Sequence, residues 1–134
     1  MRTALVVLII LCFLPYVMAG ISGYYRRKQL GAVDNKKPRE QYTQLQGPGA
    51  RAVAAQQNAW EALILYSAAI LSVAASRVEL DSLATAAIIV LVARVLHGFF
   101  YLADLDKLRS LSFLVAFISC FYIMSAVVVT LFAR

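Results

Sequence analysis

Most of what a water-soluble domain needs is scarce in this chain of 134 residues. Only 15% of the residues are charged, seven of them acidic, and there is a single histidine. So little polar surface excludes an ordinary soluble domain, and it equally excludes a disordered chain. Three prolines and six glycines exclude collagen-like and low-complexity structure. Two cysteines, Cys12 and Cys120, stand far apart in apolar runs, without a CxxC pair or a neighbouring ligand, so neither a disulfide framework nor a zinc site is expected. Each reads as a small buried hydrophobe. With one histidine and no carboxylate–histidine pair at ligand spacing, no metal is expected, and no Ser-His-Asp arrangement can be defended.

What is abundant is apolar. Hydrophobic residues make up 62% of the chain and the mean hydropathy is +0.75. A membrane-spanning helix takes about 20 mostly apolar residues, and four of them would use about 80. The expected spans are residues 4–25, 50–76, 83–103 and 110–133. Short loops between sequential helices imply an antiparallel four-helix bundle, all-α, forming one domain over residues 1–134. The first run admits a second reading. A positive start, an apolar core and Val17-Met18-Ala19 before Gly20 also describe a cleaved secretory signal. The apolar character continues to Tyr24-Tyr25 and a basic stop, which favours a retained helix. Pro15 is expected to kink it. Asp81 or Ser82 is expected to cap the third span.

The net charge of +6 is a topological signal here, not a nucleic-acid footprint, because RNA-recognition aromatics, helix-turn-helix and zinc-finger spacing are all missing. The long polar segment 26–47 carries Arg26, Arg27, Lys28, Lys36, Lys37 and Arg39. It and the turn after the third span are the basic connections. The positive-inside rule places both in the cytoplasm and both termini on the far side, which in a bacterial inner membrane is the periplasm.

Ionisable residues inside spans are costly and mark function. Arg51, Ala54, Asn58 and Glu61 fall at i, i+3, i+7 and i+10, on one face of the second span. Arg94, His97, Tyr101 and Asp104 repeat that spacing on the third, and Arg109 opens the fourth. All belong to the cytoplasmic halves of their helices, so the pattern predicts a polar cleft open to the cytoplasm. An internal network with Glu61 paired to Arg94 would explain two of these residues, but not the convergence of His97, Tyr101 and Arg109 at the same depth. Several arginines suit carboxylates and Glu61 suits an ammonium. A small zwitterion with two carboxylates and one amine fits that inventory. Glutathione is one, and a nearby arginine would favour its thiolate.

The segment Arg51-Ala-Val-Ala-Ala-Gln-Gln-Asn58-Ala-Trp-Glu61-Ala resembles the second-helix motif of the MAPEG family (membrane-associated proteins in eicosanoid and glutathione metabolism). Arg94-Val-Leu-His97-Gly-Phe-Phe-Tyr101, followed by Arg109-Ser110, resembles its third- and fourth-helix motif. The resemblance covers most of the chain. It implies a homotrimer of four-helix subunits with glutathione as co-substrate, bound between neighbours on the cytoplasmic side. Asn58, Glu61, Arg94, His97 and Tyr101 would hold glutathione, with Arg51 in support, and Arg109 would stabilise its thiolate. Arg26, Arg27 and Ser110 are possible additions.

The implied activity is a membrane-bound glutathione transferase or peroxidase acting on apolar electrophiles or lipid hydroperoxides drawn from the bilayer. The chain departs from the family pattern at Ala54, where the well-studied enzymes carry arginine, and at Gln57, where one branch of the family carries another. Those departures motivate an alternative, a non-catalytic member binding another anionic lipid or metabolite. A third reading is a small proton-coupled exporter using Glu61, against which stand Arg94 and Arg109.

Overall fold

The structure is a computed structural model that describes residues 1–133; Arg134, the last residue of the expected domain, lies outside the described residues. Five helices follow one another: α1 (Arg2–Leu30), α2 (Pro38–Gln44), α3 (Pro48–Ser76), α4 (Leu83–Leu102) and α5 (Asp106–Phe132). All but α2 are long and apolar enough to cross a membrane.

Each helix boundary has a local cause. α1 runs unbroken through Pro15, which is buried, and continues past the expected stop at Tyr25 to Leu30. Arg27 and Lys28 lie in its last turn, where cations complement the negative end of the helix. It stops at Gly31, whose positive φ of 81° admits the left-handed cap, with its N–H donating to the Arg27 carbonyl at 3.1 Å. The polar segment expected to be a loop contains α2, opened by Pro38 at its first turn. Pro48 opens α3 in the same way. The α4–α5 turn is shorter than expected, because α5 starts at Asp106, whose carboxylate suits a helix N-terminus. Asp104 makes that turn in the left-handed region, with φ 62°.

Two local expectations fail. Ser82 is the residue before α4 but makes no cap; its hydroxyl pairs with the Tyr122 hydroxyl at 2.8 Å instead. Cys12 is exposed on the outer face of α1, whereas Cys120 is buried as expected. Position on the helix face decides this, since both runs are apolar all round.

α1 packs chiefly on α3 and α4 chiefly on α5, with further contacts of α1 with α4 and of α3 with both α4 and α5. α1 and α5 therefore occupy opposite corners. The core is built from small and β-branched side chains, among them Ala69, Val73, Ala87 and Val90, around Tyr66 and Ile123. Small residues let helices approach closely where lipid gives no hydrophobic drive for association. Tyr66, 0% exposed, donates its hydroxyl to the Ala4 carbonyl at 3.0 Å and ties α3 to α1. The outer faces carry Val6, Ile9, Phe13, Ile64, Leu71 and Ile118, all exposed. In water that surface would aggregate; against acyl chains it is the expected finish.

Two glycines sit at close approaches and predict opposite outcomes. A Cβ on Gly49 would meet Tyr25 Cβ, an atom fixed by its backbone, at 3.0 Å, with Gln29 Nε2 at 3.2 Å and Leu45 Cδ2 at 3.3 Å crowding the same space. A Cβ on Gly98 would meet Met18 Cε at 2.6 Å, the free end of a flexible chain. Replacing glycine by alanine inside a helix gains up to about 1 kcal/mol in propensity. Gly98→Ala should therefore melt in detergent at or above the parent temperature, and Gly49→Ala below it. The reverse order in a thermal-shift measurement would contradict this packing.

Candidate functional site

The polar residues of α3 and α4 meet inside the bundle. Arg94 is 2% exposed, about 12 Å from the α4 C-terminus by helical rise, and so well inside the apolar layer. Its Nη2 donates to Asn58 Oδ1 at 2.6 Å and to the Asn58 carbonyl at 3.1 Å. Asn58 Nδ2 in turn donates to Glu61 Oε2 at 3.3 Å. The direct Glu61–Arg94 pair considered from the sequence does not form among the described residues. Asn58 stands between the two charges and links them, accepting from the cation and donating to the carboxylate. That division is chemically apt, because an amide carries both an acceptor and donors. Glu61 remains exposed on the α3 surface.

One turn towards the C-terminal end of α4, His97 lies on the same face. It is 3% exposed, and its Nδ1 lies 3.0 Å from the Arg109 carbonyl. A carbonyl only accepts, so Nδ1 carries the proton in this pair and Nε2 is left as the acceptor. Nε2 is buried with no partner in the structure. Ser112, not anticipated from the sequence, donates to the same Arg109 carbonyl at 2.8 Å. It follows Arg109 by three residues, a spacing that puts it on the same face. The Tyr101 ring stands edge-on to His97 at 5.5 Å, and the Arg109 guanidinium lies over the Tyr101 ring at 4.6 Å. That cation–π contact holds the Arg109 head without consuming its hydrogen bonds.

Two groups result: Glu61, Asn58 and Arg94 joined by hydrogen bonds between α3 and α4, and His97, Tyr101 and Arg109 joined by ring and backbone contacts between α4 and the first turn of α5; Arg94 and His97, three residues apart, share one face of α4. Other candidate residues stand apart from these groups. Arg51 bridges to Asp104 at 3.1 Å and reaches the Leu102 carbonyl at 3.4 Å, closing the N-terminal end of α3 against the α4–α5 turn. Arg26 stacks over Tyr42 at 5.1 Å, with Nε and Nη1 buried and unpartnered. Arg27 is exposed at the end of α1, and the exposed Ser110 hydroxyl donates to the Asp106 carbonyl at 3.0 Å. Among the described residues, no group of three His, Cys, Asp or Glu stands close enough together to hold a metal ion.

A cleft of about 200 Å³ adjoins the series between α3 and α5, with α4 as its floor. Val90, Arg94 and Cys120 form the buried end, and Glu61, Phe113 and Phe117 lie at the exposed rim. Phe113, Phe117 and Cys120 follow one another at i, i+4 and i+7, the spacing that marks one face of α5. The sequence carried that signal, hidden within a run in which almost every residue is apolar.

The fold and the site define a multi-pass integral membrane protein with a polar series set into the interior of its bundle. Residues 3–129 match the profile of the MAPEG family, and the chain belongs to it. No curated protein and no solved structure matches the chain. Membership supports, at family level, a membrane function of the glutathione-related transferase or peroxidase kind.

The Asn58 amide is the joint of the polar series. Asn58→Leu should cost about 1.5–3 kcal/mol, the range for a hydrogen bond to a charged group, since it leaves Arg94 one backbone acceptor. Asn58→Asp keeps an acceptor for the Arg94 guanidinium but loses the donor to Glu61 and sets two carboxylates side by side, so it should fall between the parent and Asn58→Leu. Equal melting temperatures of parent and Asn58→Leu protein in detergent would contradict the joint.

Proposed function

We propose that the protein is a glutathione-dependent transferase or peroxidase that acts on apolar electrophiles or lipid hydroperoxides from the bilayer. The observation that carries this reading is the gathering of Glu61, Asn58, Arg94, His97, Tyr101 and Arg109 on α3, α4 and the start of α5. It presents one carboxylate and two guanidinium groups within the membrane, and Glu61 and Arg109 have no ion-pair partner among the described residues. That inventory suits a peptide with one amine and two carboxylates. Glu61 takes the amine. Arg94 and Asn58 hold the peptide backbone, and His97 Nε2 accepts one of its N–H groups. Tyr101 lines the same site. Arg51 serves as the outer carboxylate partner, because an exposed bridge such as Arg51–Asp104 is worth under about 1 kcal/mol and exchanges readily. Arg26, Arg27 and Ser110, which stand apart from the series within one chain, are kept as additional contacts that a neighbouring subunit would supply. A homotrimer would let a neighbouring subunit close it, with both termini periplasmic and the site open to the cytoplasm.

Glutathione supplies a thiol that becomes nucleophilic on losing its proton. Arg109 stabilises that thiolate through its guanidinium, which Tyr101 holds in place from one face. In the transferase reaction the sulfur bonds to the electrophilic carbon, and the displaced group leaves with the bonding pair. In the peroxidase reaction two glutathiones reduce one hydroperoxide to an alcohol and water and emerge as the disulfide. The exposed apolar faces of α3 and α5 admit the second substrate from the bilayer.

A test is calorimetric titration of glutathione into the detergent-purified protein. Arg109→Ala removes the guanidinium but keeps the backbone carbonyl that His97 uses, so the bundle stays folded. Loss of a charge-assisted bond of about 1.5–3 kcal/mol predicts roughly ten- to hundred-fold weaker binding for Arg109→Ala and for Glu61→Ala. Arg109→Ala should lower turnover at saturating glutathione as well. The absence of saturable binding at about millimolar glutathione, a mere 4 kcal/mol of affinity, would overturn the reading.

A further inference from the structure

The basic segment between α1 and α3 carries more structure than a topological signal needs. Orientation by the positive-inside rule depends on how many cations a connection holds, not on their being fixed in place. This connection is nevertheless clamped. Asp34 Oδ1 accepts from the Lys36 N–H at 2.7 Å and from the Lys37 N–H at 3.3 Å. The Gln41 side chain donates to the Ala32 carbonyl and accepts from the Asp34 N–H, both at 2.9 Å. Gln29 makes the same two-way bond to the Gln46 backbone, at 3.0 Å each way. α2 contains no buried residue, and a helix of seven residues is marginal by itself, so these polar clamps are what hold it. Lys28, Lys36 and Arg39 are exposed and have no ion-pair partner among the described residues, while Lys37 pairs with Glu40 at 3.1 Å. The depth of the surface is marked by Tyr24, 60% exposed on α1, because outward-facing tyrosines of spanning helices sit at headgroup level. α3 starts level with it, Gly49 being packed on Tyr25. Lys28 follows Tyr24 by one turn, about 6 Å along the axis. Its Nζ turns back to 5.9 Å from the Tyr24 ring centre, towards lipid and away from water.

We propose that segment 28–39 is a docking surface for anionic phospholipid headgroups, with Lys28, Lys36 and Arg39 as its cations. Charge complementarity carries this. Three cations without counter-charges are held beside the headgroup layer, where the phosphates of net-negative lipids supply what the protein does not. The clamps explain how a short segment keeps these cations at the lipid level, since an unrestrained loop would spread them into water. The opposite end of the bundle offers no such surface among the described residues, because Arg2 and Arg77 there stand against Glu79 and Asp81. The partner is a lipid surface and not a soluble polyanion, because Lys28 lies at headgroup depth. This surface goes beyond the glutathione reading and stands without it, since none of its cations takes part in that site.

The experiment is native mass spectrometry of the full-length protein in nonionic detergent, titrated with phosphatidylglycerol or with phosphatidylcholine of the same acyl chains. No glutathione is present, so failure of glutathione binding leaves the result unaffected. The two lipids share a phosphate and differ in net charge, and phosphatidylglycerol should bind at least about tenfold tighter. Lys28→Gln, Lys36→Gln and Arg39→Gln should each cut that preference about fivefold, the equivalent of about 1 kcal/mol. The triple variant should bind the two lipids alike. All three side chains are exposed, and Lys36→Gln keeps the N–H that Asp34 holds, so the fold is left intact. Glu40→Gln releases Lys37 from its pair and should raise the preference. An ionic strength of about 1 M, where the Debye length is about 3 Å, should shrink it. Equal affinity for the two lipids, a preference that survives the triple variant, or one lost instead on combining Arg2→Gln with Arg77→Gln would each overturn the proposal.

Discussion

A guanidinium held inside the apolar layer is the constraint to which the rest of this molecule answers. Arg94 cannot reach water from its place on α4, so its charge must be met by groups the bundle brings to it. Asn58 meets it twice, through side chain and backbone, and this requires α3 and α4 to keep one relative register. A slide of α3 by a single residue, about 1.5 Å along the axis and 100° around it, would carry Asn58 off that face. The apolar core tolerates many registers, since alanine and valine pack against one another without direction. The Arg94–Asn58 bond selects among them. It also determines which face of α3 carries Glu61 and which face of α4 carries His97.

The same bond explains how the polar series survives in a lipid environment. Asn58, Arg94 and Glu61 spend part of their donors and acceptors on one another. Asn58 separates Arg94 from Glu61 and leaves each with capacity to spare. His97 is fixed by the Arg109 carbonyl, not by a side chain, so its ring orientation depends on backbone geometry at the start of α5. Arg109 is thereby freed to rest on Tyr101. The atoms left over, Arg94 Nε and His97 Nε2, are buried and lie on neighbouring turns of one helix face. Unmet polar atoms are rare in protein interiors, and a pair of them at one depth is a site's usual mark.

Much of this was legible in the residues alone. The apolar runs place the four long helices to within a few residues, because hydropathy decides what can cross a bilayer. The i, i+3, i+7 spacing puts Asn58 with Glu61, and His97 with Tyr101, on common faces, because helical periodicity is fixed. What spacing cannot supply is the partner across the interface. Charge alone suggested Glu61 for Arg94, whereas rotamer and register give Asn58. Arg51 reads as part of the cleft face, yet Asp104, thrown into the left-handed region just beyond α4, draws it to the α4–α5 turn. Ser112 and the Phe113–Phe117–Cys120 face escaped notice because α5 is apolar on every side, and periodicity carries information only where polarity varies. The helix α2 escaped because a short helix in a charged segment has no apolar stripe to announce it.

Ala54 gives the arrangement its particular character. The family motif that the sequence resembles carries an arginine at this place on the second span, one turn from Asn58. With alanine there, Arg51 is the nearest cation on α3 and is occupied by Asp104 at the N-terminal end of that helix, about 10 Å from Asn58 along the axis. Glu61 is then balanced only through the amide by Arg94, on another helix. The positive charge of the site has in effect moved from α3 to α4 and α5, towards the cleft floor and the Tyr101 ring. An anion entering this bundle therefore meets its strongest attraction at the junction of the polar series with the apolar cleft.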